Sequence, residues 1–429
     1  MRKITRRDAL KVLGATGLSV GSLSAKISGI DKLMSGDGLG SLGIGMHESY
    51  AADLIKPGTI INSGNYKNFP QLKQLFPEHQ YLRLKKGATR SDFPEIKVFP
   101  TRKIQLAAPE QKWKEKNRGV VSIDPKTKLL VNWKAGIPFP EPKNADQVTW
   151  NFVNRHWTGD SWIFDNATLI VVDRFDRQKT AFDARFYQED LKGRTTIPPV
   201  PEYADNPRNI LWRQTAVFTK PYEIAGQAVL RFRYDSLEKA DDVWAYIPAM
   251  RRIRRFTGAD VQDPLFGSDD TMDDYASWLQ KVDFRTVVPT KVKEGNILTW
   301  GYPDRITDGY TTKIDGRQML FPIWEVRPVY ILTIEINDPT YMYSKRITWI
   351  DKETYHGLYF EGYDQRGNLW RTWTNGLWWT PEGGHNYMNA EIDDWINGTK
   401  TFQFMKSPGY NPTFSSKVFT KNFLKRAGR

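Results

Sequence analysis

The clearest hydrophobic period in the chain is two. From Gln227 to Asp235, Ala228, Leu230, Phe232 and Tyr234 alternate with Gln227, Val229, Arg231 and Arg233, the pattern of a half-buried antiparallel strand. Tyr330, Leu332, Ile334 and Ile336 repeat it, with Ile331, Thr333 and Glu335 opposite. Shorter β-branched and aromatic runs occupy 212–219, 243–247, 252–256, 345–350, 355–363 and 368–374. Turn residues divide them: Pro248 inside the 243–256 hairpin, Asp351-Lys352, and Arg366-Gly367-Asn368. Asp124-Pro125-Lys126-Thr127 makes a turn between two further strands, 120–123 and 129–133. Successive strands with short links form a meander, and an antiparallel sheet of this size must curl, split or close.

Helical signals are fewer. Pro70 and Pro77 bracket a short helix that would bury Phe69, Leu72 and Phe76. Asn144 caps a helix reaching about Trp157, with Ala145, Val148 and Phe152 on one stripe. Thr271 and Asp274 form a capping-box-like pair that predicts a helix over 272–280, with Tyr275, Trp278 and Leu279 on its buried face. Composition does not break after residue 53. The expectation is a single β-rich (α+β) domain over 53–429, preceded by a leader over 1–52.

The leader resembles an export signal. Thr5-Arg6-Arg7-Asp8-Ala9-Leu10-Lys11 is similar to the twin-arginine motif, with Ala9 where Phe is usual. The run behind it, Val12 to Ala25, is weakly apolar and too short to span a bilayer. Gly38 to Gly43 fits G-x-G-x-x-G, yet no strand precedes it and no βαβ unit surrounds it, so it reads as flexible linker.

The net charge is +13, which favours polyanions and anionic lipid head groups as partners. The 16 Trp, 19 Tyr and 22 Phe favour a β fold with large side chains in a core or lining a cavity. With no cysteine, disulfides, thiolate metal sites and a lipoprotein-type anchor are excluded. The five histidines (His47, His79, His156, His356 and His385) are not spaced as metal ligands, and no H-E-x-x-H or G-x-S-x-G occurs. No catalytic residue, metal or cofactor is predicted. Asp269, Asp270, Asp273 and Asp274 lack the spacing of a calcium loop and read as capping of the 272–280 helix. Arg251, Arg252, Arg254 and Arg255 lie one loop away, where pairing with these aspartates is one reading; the other makes them candidates for contact with a phosphate, head group or partner protein. Trp370, Trp373, Trp378 and Trp379 would serve strand packing, with Trp370 and Trp373 on opposite faces by alternation.

The stretch Val243-Trp244-x-Tyr246-x-Pro248-x-x-Arg251-Arg252-x-Arg254-Arg255, followed by F-G-S-D-x-T-x-x-D over 266–274, resembles one family closely. Lys56-Pro57-Gly58-Thr59 with Asn65 and the Leu-Phe-Pro-Glu of 75–78 agree with it. So do Ile350 to Tyr355 and Tyr363 to Gly367. It is a large periplasmic family described as outer-membrane lipoprotein-sorting-like, a domain of unknown function within the LolA/LolB-like superfamily. The resemblance runs from about residue 54 to the C-terminus. It implies a curled antiparallel sheet or incomplete β-barrel whose concave face is plugged by helices, and a carrier or chaperone for a lipid, acyl chain or sterol-like molecule. It also implies partners: an inner-membrane exporter of the resistance-nodulation-division type and an outer-membrane barrel. On that fold Leu230, Phe232, Tyr234, Tyr330, Leu332, Ile334 and Ile336 are the cavity candidates. The alternatives are an exported enzyme acting on envelope material, suggested by the twin-arginine signal, and a glycan-binding or structural module using the tryptophans.

Overall fold

Thirteen long strands follow the two-residue period into one antiparallel sheet. They are β1 (Ser161–Val172), β2 (Gln178–Asp190), β3 (Ile210–Lys220), β4 (Ala228–Tyr234), β5 (Asp242–Ile247), β6 (Arg252–Phe256), β7 (Val287–Trp300), β8 (Trp324–Ile336), β9 (Lys345–Asp351), β10 (Gly357–Tyr363), β11 (Leu369–Thr380), β12 (Gly384–Asp394) and β13 (Thr399–Met405). A short β14 (Pro408–Tyr410) pairs with the start of β1. The computed structural model describes residues 54–427, apart from 87–95, 156–157, 176, 237–238, 257–261, 276–282, 284–285, 302–310, 315–316, 321–322, 381–383 and 406–407. Residues 1–53, with Arg6 and Arg7 of the expected leader, lie outside the described residues.

The strand order is β6-β5-β4-β3-β2-β1-β13-β12-β11-β10-β9-β8-β7. From β1 the chain walks outward to one edge. It then crosses to the opposite edge and walks back until β13 pairs with β1. The sheet is open: β6 and β7 are its two edges. The 243–256 hairpin, the long alternating strands and the turn at Asp124 occur where expected. The Asp124 carboxylate accepts from the Lys126 and Thr127 amides.

Among the described residues five α-helices accompany the sheet: α1 (Leu72–Leu75), α2 (Glu78–Lys86), α3 (Ala108–Asn117), α4 (Ala145–Val153) and α5 (Lys421–Ala427). Asn144 caps α4 by accepting from the Gln147 amide at 3.0 Å. Val148 and Phe152 then enter the main core beside Leu332, Ile334 and Ile336. Pro77 ends α1 as expected, but the chain turns straight into α2, which no apolar stripe announced.

Two layers result, one on each side of the sheet. On one side lie α4 and the crossing segment around 262–275, here called the strap. On the other side α2 covers the β9–β12 half. Phe419 and Leu424 of the C-terminal segment cover Leu230, Phe232 and Tyr234 of β4. Helices therefore flank both faces of the open sheet.

Candidate functional site

The acidic run meets partners on the sheet as well as at its own cap. It bolts the strap to the sheet. Asp269 accepts from the Thr399 and Thr401 hydroxyls of β13, and Gln403 donates to Asp270. Asp274 accepts from Tyr343 at 2.7 Å and from Arg346 of β9 at 2.7 Å, with Arg371 of β11 at 3.5 Å. Asp273 accepts from Tyr341 and faces Arg231 of β4 at 3.8 Å. The predicted Thr271 cap is present, accepting from the Asp274 amide at 3.1 Å. Met272 to Asp274 form a turn, and 276–280 lie outside the described residues. Burial pushes the Asp269, Asp270 and Asp273 carboxyls above the usual carboxylate range.

Arg231 and Arg233 were expected on a solvent face. Both are buried and share Asp241. Burial alone would raise the Asp241 carboxyl, but the two guanidiniums outweigh it and hold it well below the usual range. This burial reverses the cavity assignment for β4. Leu230, Phe232 and Tyr234 are packed under the C-terminal segment. The opposite face, with Val229 and Arg231, lines a small void of about 50 Å³ beneath Leu265, Met272 and Tyr275 of the strap. Leu332, Ile334 and Ile336 lie in the main core, with Tyr330 packed at its border. The seven candidates thus occupy two faces and two different cores.

The large cavity lies on the face opposite the strap. Its volume is about 850 Å³, within the range of small-molecule sites. Ile331 of β8, Ile347 and Trp349 of β9, Tyr363 of β10 and Leu369 of β11 line its sheet side. Phe76, Pro77, His79 and Leu82 line the helical side. Strand alternation places Ile331 and Thr333 here because Leu332 and Ile334 point the other way.

Polar bonds hold α2 over this groove. His79 Nδ1 lies 2.8 Å from Glu361 Oε1, and Tyr363 donates to Glu361 Oε2 at 2.8 Å. Gln80 donates to Thr374 at 2.6 Å, and Arg83 donates to Glu391 at 2.6 Å. His79 is buried, and its Nε2 has no hydrogen-bond partner. Burial and the neighbouring Glu361 push the Tyr363 phenol up. Among the described residues no group of His, Cys, Asp and Glu is placed to hold a metal ion.

Arg252, Arg254 and Arg255 project from the edge strand β6, and Arg251 occupies the preceding left-handed position at φ 51°. All four are exposed, and Arg255 pairs with Asp242 at 2.5 Å. Trp373 is buried in the main core, so it offers no stacking surface. A register irregularity between Gly362 and Tyr363 lets Trp370 reach that same core, against Tyr343 at 5.6 Å, where alternation placed it opposite. The side chains of Trp378 and Trp379 lie outside the described residues.

These features define an α+β domain built on one open antiparallel sheet, with a groove of about 850 Å³ under a polar-docked helix. The chain belongs to the family described as protein of unknown function (DUF1329), whose model matches residues 61–422. It is 23% identical over 296 residues to the uncharacterized protein PA3922 of Pseudomonas aeruginosa. That match covers 65% of this chain and 62% of the relative, so it spans less than two thirds of the relative's length. Among solved structures, a domain described as an outer membrane lipoprotein-sorting protein from Vibrio parahaemolyticus is similar at 18% identity and a TM-score of 0.46. It covers 65% of this chain and 97% of that one. A DUF1329 family protein from Desulfovibrio piger gives 17% and 0.43, covering 62% and 92%. A LolA superfamily protein from Nitrosomonas europaea gives 14% and 0.41, covering 66% and 100%.

Proposed function

We propose that this protein is a periplasmic carrier that holds a hydrophobic ligand, such as a lipid or acyl chain, in the groove between α2 and strands β7–β11. The observation that carries this reading is the cavity of about 850 Å³ whose sheet side presents Ile331, Ile347, Trp349 and Leu369. Each methylene moved from water onto such a surface contributes about 0.8 kcal/mol, so a long chain binds with few polar contacts. Among the described residues no helix is long and apolar enough to cross a membrane. In this reading Arg6 and Arg7 direct export by the twin-arginine route. The arginines of β6 meet an envelope partner, an exporter of the resistance-nodulation-division type or an outer-membrane barrel.

Native mass spectrometry of protein purified without detergent tests the carrier. Co-purifying lipid is expected from the parent, and none from Ile347→Asp or Trp349→Asp variants whose circular dichroism is unchanged. Parent protein that arrives empty and binds no fluorescent fatty-acid probe overturns the reading. Export is tested separately by replacing Arg6 and Arg7 with Lys, which should retain the protein in the cytoplasm.

A further inference from the structure

The groove is electrically lopsided. Lys291 and Lys293 occupy successive same-face positions on the edge strand β7 and line its outer end. Lys73 lines the groove from α1. All three ammonium groups are exposed, and among the described residues none has an ion-pair partner. The carboxylates of the lining, Glu78 and Glu361, belong to the other end, where Glu361 is already engaged by His79 and Tyr363. Between the two ends the strands present Ile331, Ile347 and Trp349. Lys293 sits opposite Ile331, which in turn sits opposite Trp349, so cation and apolar floor are adjacent by register. At about 4.8 Å per strand, β7 to β11 is four steps, or roughly 19 Å.

Resting on the carrier reading, we infer that the occupant is an anionic amphiphile bound in one direction. Its carboxylate or phosphate lies at Lys73, Lys291 and Lys293, and its apolar chain runs inward over Trp349 toward Leu369 and Trp395. A cationic or reversed ligand would set its charge against the lysines, or drive an anion onto Glu78 and Glu361. Because the ammonium groups are exposed, the head-group contribution is screened by salt, while the chain's contribution is not.

The test uses the full chain and four probes of equal length, each below its micellar concentration: hexadecanoate, hexadecyl phosphate, hexadecanol and hexadecyltrimethylammonium. Displacement of a fluorescent fatty-acid probe should rank both anions above the alcohol by about tenfold or more, as expected of a few exposed charge contacts, with the cation weakest. A preference between carboxylate and phosphate then assigns the head group. Lys291→Glu with Lys293→Glu should remove the anion advantage and leave hexadecanol binding unchanged, and Lys73→Glu should do so in part. Equal binding of anions and alcohol by the parent, or charge-reversed variants that keep the advantage, overturns the head-group inference and leaves the carrier standing. Failure of all four probes overturns the carrier itself.

Discussion

Arg346 donates from Nη2 to Asp274 Oδ1 at 2.7 Å, and neither side chain reaches solvent. Arg371 approaches the other carboxylate oxygen at 3.5 Å. Asp274→Ala would take from buried Arg346 the carboxylate that fastens it to the strap, while Arg371 would keep Asp394 at 3.6 Å. Removing one partner of such a pair costs about 3–5 kcal/mol. Urea unfolding should report a loss of that size, and a loss below about 1 kcal/mol would mean that the strap is not fastened there.

Asp270 should carry the opposite sign. Burial, reinforced by Asp274, pushes its carboxyl well above the unfolded value of 3.8. A raised folded value means that the fold prefers the neutral acid. Its contribution is therefore most favourable below 3.8 and is lost as pH rises through the folded value. Asp270→Asn should raise the melting temperature at neutral pH, with the gain fading as the solution is acidified. A variant destabilised equally at every pH would contradict this.

Phe232 and Ile347 separate stability from binding. Phe232 is packed beneath the C-terminal segment, so Phe232→Ala should cost about 3–5 kcal/mol and leave ligand affinity intact. Ile347→Asp sits on the groove floor and should abolish ligand binding at smaller cost in stability. Paired urea titrations and probe binding measure both.

Arg83 ties α2 to the sheet. In Arg83→Ala, Glu391 keeps Lys400 at 2.6 Å, so the sheet retains its pairing. Hydrogen exchange should accelerate over 78–86 and stay slow in β10 to β12, and ligand affinity should fall as the groove loses its wall. Unchanged exchange in α2 would show that its other contacts suffice.

The arginine edge should matter little to stability. Exposed pairs such as Arg255 with Asp242 contribute about 0–1 kcal/mol. Arg251→Ala with Arg255→Ala should scarcely shift melting, while capture of an envelope partner weakens. A large melting shift with capture unchanged would assign the cluster a structural role.

Much of the sheet was legible in the sequence, because period-two alternation and turn residues are local signals. β4, β8 and the 242–256 hairpin stand where Leu230, Leu332 and Pro248 indicated. The face each strand presents was not legible. Arg231 and Arg233 read as solvent-facing because their partner Asp241 and the strap residue Asp273 are brought there only by the tertiary fold. α2 is not legible because its docking residues, His79, Gln80 and Arg83, are polar and form no apolar stripe. In sequence the acidic run points only to its own helix, whereas its partners Arg346, Arg371 and Thr401 lie 72, 97 and 132 positions away. The groove itself follows from α2 and from the parity of Ile331 and Ile347, neither of which a single strand's pattern reveals.

The pairing of β1 with β13 also sets the order in which the protein can be completed. Val171 meets Thr401, and Leu169 meets Gln403. During synthesis β1 to β6 can assemble as they emerge, but the inner side of β1 has no mate until β13 has been made. For that interval a twelve-residue strand, mostly buried in the native state, is an open template for another nascent chain. The finished molecule has no such weakness, because its two remaining borders carry Arg252 to Arg255 and Lys291 to Lys293, whose charges discourage edge-to-edge association. Chains ending before residue 399 should therefore aggregate or recruit chaperones, while the full-length protein, with the same exposed borders, stays monodisperse.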